Sequence, residues 1–330
     1  MENMPGKEAQ ELLVKCGSHD MAVASAATHE LAKALETPIR KAVLVGANLD
    51  NIFSVENVPL GKTLEYPIDI VAQSGLKNYT AYSLPTTGGM PDRWVEADYL
   101  KVNTFDVGNT ITCSSRLLEI GSWDIMKRMM DVMTAGFVQK MNDDGWRVIL
   151  AAAYGRGISV VDASAPNGYL TKKLVRDMKT KMMREGGGNM SSVDLRKLTD
   201  LYLSIEALDD MSNWDLSQVS DEVRTQIYLS GDGDKSIFGV KLNPLFELGV
   251  GQAYQKYLVN TLGFSMTGSR EECVVGLSLN KKDAFVWAAE KPIEVFEDPT
   301  THRNRLVSLY GWTRYGVGCV DSRVALLGQI

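Results

Sequence analysis

Three histidines, His19, His29 and His302, are the chain's only side chains whose ordinary titration falls near neutral pH. Nucleophilic catalysis needs such a base beside a serine or cysteine. None of the three lies in a motif such as G-x-S-x-G. His19 and His29 fall near the N-terminus, and His302, just after Pro299-Thr-Thr, reads as a polar loop or interface residue. Gly231-Asp-Gly-Asp-Lys235 has oxygen ligands that a hard cation would accept, but the later acidic ligand of a calcium loop is missing, so it reads as a tight turn. Gly249-Val-Gly-Gln-Ala-Tyr254 and Gly316-Val-Gly-Cys-Val-Asp321 are isolated glycine pairs, and the first lacks the third glycine of a phosphate cradle. The acid pairs Asp143-Asp144 and Asp209-Asp210 are sequence neighbours, and neighbours on a helix point apart. Cys16, Cys113, Cys273 and Cys319 show no CxxC or Cys/His spacing and read as four reduced thiols. No catalytic, cofactor-binding or metal-binding residue is assigned, and the expectation is that the chain is not an enzyme. Acid/base work by residues distant in sequence stays open at this level.

Composition narrows the classes further. A length of 330 residues suggests roughly two domains of about 150 each. With 45% hydrophobic and 23% charged residues the chain can bury a sizeable core. Its net charge of -6 and scattered basic residues argue against a surface built to read nucleic acid. No apolar run approaches the roughly 20 residues of a membrane span. No secretory signal is visible, which sets the expectation of a protein made in the cytoplasm.

The elements that could position functional groups follow from periodicity. Residues 1–20 are polar and without a clear period. Residues 21–36 read as a helix, with Met21, Ala24, Thr28, Leu31 and Leu35 near one stripe. Thr37-Pro38 is expected to end it, and Lys41–Gly46 reads as a short strand. Residues 52–112 are β-rich and thinly apolar: Ile52–Val55, Leu64–Val71, Asn78–Tyr82 and Trp94–Leu100 are strand-like, punctuated by Gly61, Gly75 and Gly88-Gly-Met-Pro91. Such a segment cannot easily bury its own face and suggests an extended hairpin lying on a neighbour. The strongest helix spans 122 to about 153, with Ser122 as N-cap and a stripe of Met126, Met130, Met133, Phe137 and Met141. Asn142-Asp-Asp-Gly145 is expected to interrupt it. A helix over 169–184 ends at Gly186-Gly-Gly-Asn189. Leu198–Ser204 reads as a strand, with Ser204 capping a short helix from Ile205. The last forty-five residues read as long strands needing a partner rather than as a pocket.

Several stretches, in this order, resemble the tailed-bacteriophage major capsid proteins of the HK97-like fold, over roughly residues 30–328. They are Leu31–Ile39, Asn51-Ile-Phe with Gly61 and Tyr66–Asp69, and Asn142–Trp146. Gly186–Asn189 with Leu198–Ser204, Pro292–Pro299, His302-Arg303 and Tyr310-Gly-Trp312 continue the series. The resemblance implies an α+β fold with an N-terminal arm (1–50) and an extended hairpin loop (51–110). A peripheral domain with a long spine helix (111–164 and 281–330) and an axial domain (165–280) complete it. It implies self-assembly through pentamers and hexamers into an icosahedral shell around phage double-stranded DNA. The acidic balance suits a shell that must not trap that DNA. The implied location is the virion, and the implied partners are other copies, a separate scaffolding protein, a portal and a decoration protein. Too few residues precede the first strand for a fused scaffolding region. Lys62 and Lys77 lie where some members crosslink, but no motif selects either, so no crosslink is expected. Two rival readings are an encapsulin-like shell around a cargo enzyme and a soluble α/β enzyme with dispersed catalytic residues.

Overall fold

The computed structural model describes residues 6–46, 49, 51–69, 97–119, 123–162, 168–185, 196–213, 236–268 and 270–330. The N-terminal polar stretch is not aperiodic coil: Gly6–Cys16 is a helix, α1. Ala9, Leu12, Leu13 and Cys16 recur at i, i+3, i+4 and i+7, a short helical period that the polar surroundings masked, and Leu12, Leu13 and Cys16 are buried. The next helix, α2, runs Met21–Gly46 and carries Pro38 in its interior. The expected stop at Thr37-Pro38 and the strand at 41–46 are therefore both corrected. An interior proline costs about 3 kcal/mol. Leu35, Ile39 and Val43 are all nearly fully buried on one helical stripe around it, and each such burial is worth about 1.5–3 kcal/mol. Packing thus outweighs the local rule. Met21 at the head of that stripe is exposed, whereas Ala24, Thr28, Leu31 and Leu35 are buried.

The long helix α4, Trp123–Gly155, follows the short helix α3, Ser115–Glu119. At 1.5 Å per residue its 33 residues span about 50 Å. It is unbroken through Asn142-Asp-Asp-Gly145, against expectation. Asp143 and Asp144, which would otherwise compete for backbone groups, accept hydrogen bonds from the hydroxyls of Tyr254 (3.1 Å) and Tyr315 (2.9 Å). At Gly145 a Cβ would lie 2.4 Å from a Leu49 methyl, so the glycine admits close packing rather than ending the helix. The proposed cap at Ser122 lies outside the described residues. Of the methionine stripe, Met133 and Phe137 are core, while Met130 and Met141 are only half-buried beside it.

Three sheets complete the fold. Four strands order as β1-β10-β11-β4 (Ser54–Asn57, Phe285–Asp298, Leu306–Cys319, Phe105–Ser114). Six order as β5-β12-β9-β6-β8-β7, from Ser159–Val161, Ala325–Gln329, Cys273–Leu277, Asp200–Leu203, Val240–Pro244 and Ser236–Ile237. The segment 281–330 thus supplies strands to both. The third sheet is a two-stranded antiparallel ribbon, β2 (Leu64–Asp69) with β3 (Ala97–Val102). The long terminal strands read from the sequence are β10 and β11, fourteen residues each and paired antiparallel.

One core packs α1, α2 and the first half of α4 on β10 and β11 through Leu31, Leu35, Phe137, Ile293, Val295 and Leu309. A second joins the rest of α4, through Trp146, Ile149, Leu150 and Ala153, to β9 and β12. A third sets helix α5, Lys172–Glu185, on the opposite face of the six-stranded sheet through Leu174, Met178 and Met182. Being covered on both faces, β9 and β12 are buried at every residue. Ser204 caps the short helix α6, Ile205–Asp209, by accepting from the Ala207 amide at 3.0 Å.

The chain ends of the large sheets are pinned by Arg196, which is 9% exposed. Its guanidinium donates to Asp283 at 3.0 Å and to Asp321 at 2.8 Å. Burial raises the Asp321 carboxyl, but Arg323 and then Arg196 outweigh it and hold the group below the usual carboxylate range. A depressed carboxylate stabilises the fold above its unfolded pKa of about 3.9 and loses that contribution as pH falls through the folded value. Acid titration of unfolding free energy should therefore show a drop below about pH 4. In Asp321→Asn that component should be missing, leaving a shallower slope. An identical slope in the two proteins would remove Asp321 from the account.

Candidate functional site

The residues with chemical potential are dispersed. His302 places Nε2 3.1 Å from the Ser18 carbonyl oxygen, joining the α1–α2 turn to the β10–β11 connection. His19, in the turn between α1 and α2, and His29, on α2, are exposed. Asp143 and Asp144 serve different tyrosines, and Asp210 is buried against Arg270 at 2.8 Å while accepting from the Leu170 amide. Glu272, its side chain fully buried, accepts from the same arginine at 2.5 Å. Burial raises its carboxyl further than Arg270 lowers it. A carboxylate so enclosed meets no substrate.

The glycine pairs hold no cradle either. The Gly251 amide already donates to Gln255 Oε1 at 3.0 Å, in the turn leading into helix α7, Ala253–Lys256. Gly316 and Gly318 lie within β11. Gly231–Lys235 and Lys77 lie outside the described residues, and Lys62 is exposed. All four cysteines are free. Burial pushes their thiols up, to about 11 at Cys16 and Cys113 and about 12 at Cys273 and Cys319. Such thiols stay protonated and unreactive at neutral pH.

What the fold does build is a fixed root for the two-stranded ribbon. Strand β10 carries a register shift between Ala289 and Lys291, so Glu290 has no partner in β11. Bulges of this kind re-aim a side chain. Glu290 accepts from the Gly61 amide (3.0 Å) where the chain enters the ribbon, and from the Thr104 hydroxyl where it leaves. Arg314 donates to it at 3.2 Å and to Asp106 at 2.7 Å. The Thr104 and Gly61 hydrogen bonds, with Arg314, hold its carboxyl below the usual range. Beneath this clamp the ribbon crosses β11 closely: a Cβ on Gly316 would lie 2.3 Å from the Asn103 carbonyl oxygen. Val58, Val102 and Ala288 bury a small apolar plug there.

Four apolar side chains of the root and ribbon are exposed to solvent. Val55 is 59%, Leu60 69%, Tyr99 58% and Phe105 42% exposed. An isolated two-stranded ribbon is marginal in water without a third strand or a packed face, and clustered exposed apolar groups mark interaction surfaces. Glu290→Ala should release the ribbon from the sheet. Amide exchange in 58–66 and 97–104 should then quicken by about tenfold or more, with α4 and β12 unchanged. Unchanged exchange at the root would refute the clamp.

The sequence reading missed this constellation. Glu290 lies 229 residues from Gly61 and 186 from Thr104. The one available signal was Pro292, which within a strand marks a bulge or an edge.

The arrangement of a long helix, two large sheets, N-terminal helices laid along one sheet and a projecting ribbon defines a class of fold. No protein-family model matches the chain, and no curated protein matches it. Solved structures do. A cyanophage Pam1 capsid asymmetric unit is 14% identical over 84% of this chain and 87% of that one, with a TM-score of 0.55. The capsid of a native GTA particle is 13% identical over 86% and 90%, with a TM-score of 0.56. The capsid of the cyanophage P-SCSP1u is 11% identical over 86% and 88%, with a TM-score of 0.55. The fold of this chain is the α+β, HK97-like capsid fold.

Proposed function

We propose that the chain is a structural major capsid protein, whose copies associate into pentamers and hexamers and close an icosahedral shell around phage double-stranded DNA. The observation that carries this reading is the ribbon rooted by Glu290 and rimmed by exposed Val55, Leu60, Tyr99 and Phe105. Its described strands contribute only Val102, Leu64 and Tyr66 to a small buried cluster, and it is anchored as if to be pressed on a neighbour. The likeness of fold to phage capsids over most of the chain supports the same reading. In this proposal residues 1–50 are the arm and 51–110 the extended loop. Residues 111–164 with 281–330 form the peripheral domain, and 165–280 the axial domain. Head-to-tail contacts between copies close into rings by rotation. At about 25 cal/mol per Å² of apolar area, overlapping arms and ribbons hold a shell without covalent links.

The same proposal places the protein in the virion, with a scaffolding protein, a portal and a decoration protein as its further partners and no catalytic role. Sedimentation velocity of the purified chain tests the association step. The expected result is species far above the 36.3 kDa of one copy, resolving into rings of five or six. A single monomer boundary at all concentrations, with and without scaffold, would contradict it.

A further inference from the structure

A cavity of about 400 Å³ opens where α4 meets the six-stranded sheet. Trp146, Tyr202 and Tyr254 form its aromatic wall, with Trp146 4.8 Å and 6.1 Å, centroid to centroid, from the two tyrosines. Phe246, 67% exposed, stands at its rim. The polar wall offers acceptors. Asn243 donates through Nδ2 to Asp200 at 3.2 Å, which leaves its amide oxygen as the uncommitted end. The Tyr254 hydroxyl already donates its hydrogen bond to Asp143, and Glu247 contributes a carboxylate. Among the described residues that line the cavity there is no Lys, Arg or His.

The charged groups around the two tyrosines are mainly acidic. Burial raises both phenols, and Asp200 raises Tyr202 further. Asp143 and Glu247 do the same to Tyr254, against an opposing effect of Arg147. Arg147 itself lies over the Tyr257 ring, 5.7 Å from its centroid. An aromatic wall attracts a cation through its ring quadrupole and packs an aliphatic stem. A wall that carries the Glu247 carboxylate and, among its described residues, no cation repels anions, and an uncharged polyol gains nothing from that charge.

We propose that this cavity binds an alkylammonium group, a primary amine on an aliphatic stem. It would arrive either as a free linear diamine or as the lysine side chain of a second copy of this chain. The stem would lie along Trp146 and Tyr202, and the ammonium would donate to Glu247 and the Asn243 oxygen.

The test is calorimetric titration of the full chain with 1,4-diaminobutane, and with 1,4-butanediol as the uncharged equivalent. Saturable binding of the diamine and none of the diol is expected. Glu247→Gln, a change at an exposed side chain that should leave the melting temperature alone, should weaken binding about tenfold, the size of one charge-assisted hydrogen bond. Phe246→Ala serves as a second variant, with weaker binding expected from the lost rim ring. A second arm measures self-association by sedimentation with and without diamine. Association weakened both by Glu247→Gln and by competing diamine assigns the natural group to a neighbour's lysine. Diamine binding with association unchanged assigns it to a free amine. Equal binding by wild type and Glu247→Gln, diol binding as strong as diamine, or no saturable binding with association unaffected would each overturn the proposal.

Discussion

Replacing residues 62–101 by a short Gly-Ser linker is expected to give a folded protein that no longer builds closed particles. The cut removes β2 and all of β3 but its last residue. It keeps Gly61, Val102 and Thr104, so both contacts to Glu290 and the plug of Val58, Val102 and Ala288 survive. Among the described residues, none from 62–101 belongs to the three larger cores. Thermal unfolding should therefore stay cooperative, with a melting temperature within a few degrees of the parent. Assembly should be lost altogether, because in the proposed shell the ribbon's partner surface lies on another copy. A truncated chain that still closed shells would show that the ribbon is not an assembly element. A truncated chain that failed to fold would show that it is part of the subunit core.

The second large effect is expected at Phe137. Its side chain is 1% exposed and sits among Leu31, Leu35, Ile293 and Leu309, with its ring over Gly311 of β11. Phe137→Asp loses the about 3–5 kcal/mol of a large-to-small core change and adds the several kcal/mol of an unpaired buried charge. Against a total stability of about 5–15 kcal/mol, this should abolish the cooperative transition in circular dichroism. Phe137→Leu, which keeps the apolar character, should cost about 1–2 kcal/mol. Met130→Asp should be milder than Phe137→Asp, because Met130 is only half-buried. A stable, well-folded Phe137→Asp protein would refute the packing of α4 on β10 and β11.

Much of this architecture was legible because its signals are local. The stripe of Met133 and Phe137 announced α4, the Ser204 hydroxyl announced α6, and the last forty-five residues, read as long strands needing a partner, contain β10 and β11. The failures share a cause. Pro38 and Asn142-Asp-Asp-Gly145 are breakers by local rule, and each is overruled by partners far away in the chain. Ile39 and Val43 bury against β10 beyond the proline, and Tyr254 and Tyr315 satisfy the two aspartates. Helix α1 was overlooked because its period, Ala9, Leu12, Leu13 and Cys16, is only two turns long and sits in a polar stretch. The ribbon's lack of a core was legible as a shortage of apolar residues. Its clamp was not, since Glu290, Gly61, Thr104 and Arg314 meet only through a bulge in β10.

The central claim is that this chain builds a shell, and electron microscopy of the purified chain, alone and with a candidate scaffolding protein, tests it most directly. The account predicts closed hollow particles, or rings with five- and six-fold symmetry. Uniform monomers or dimers under every condition, with no rings and no shells, would contradict it and return the chain to the reading of a soluble enzyme with dispersed catalytic residues.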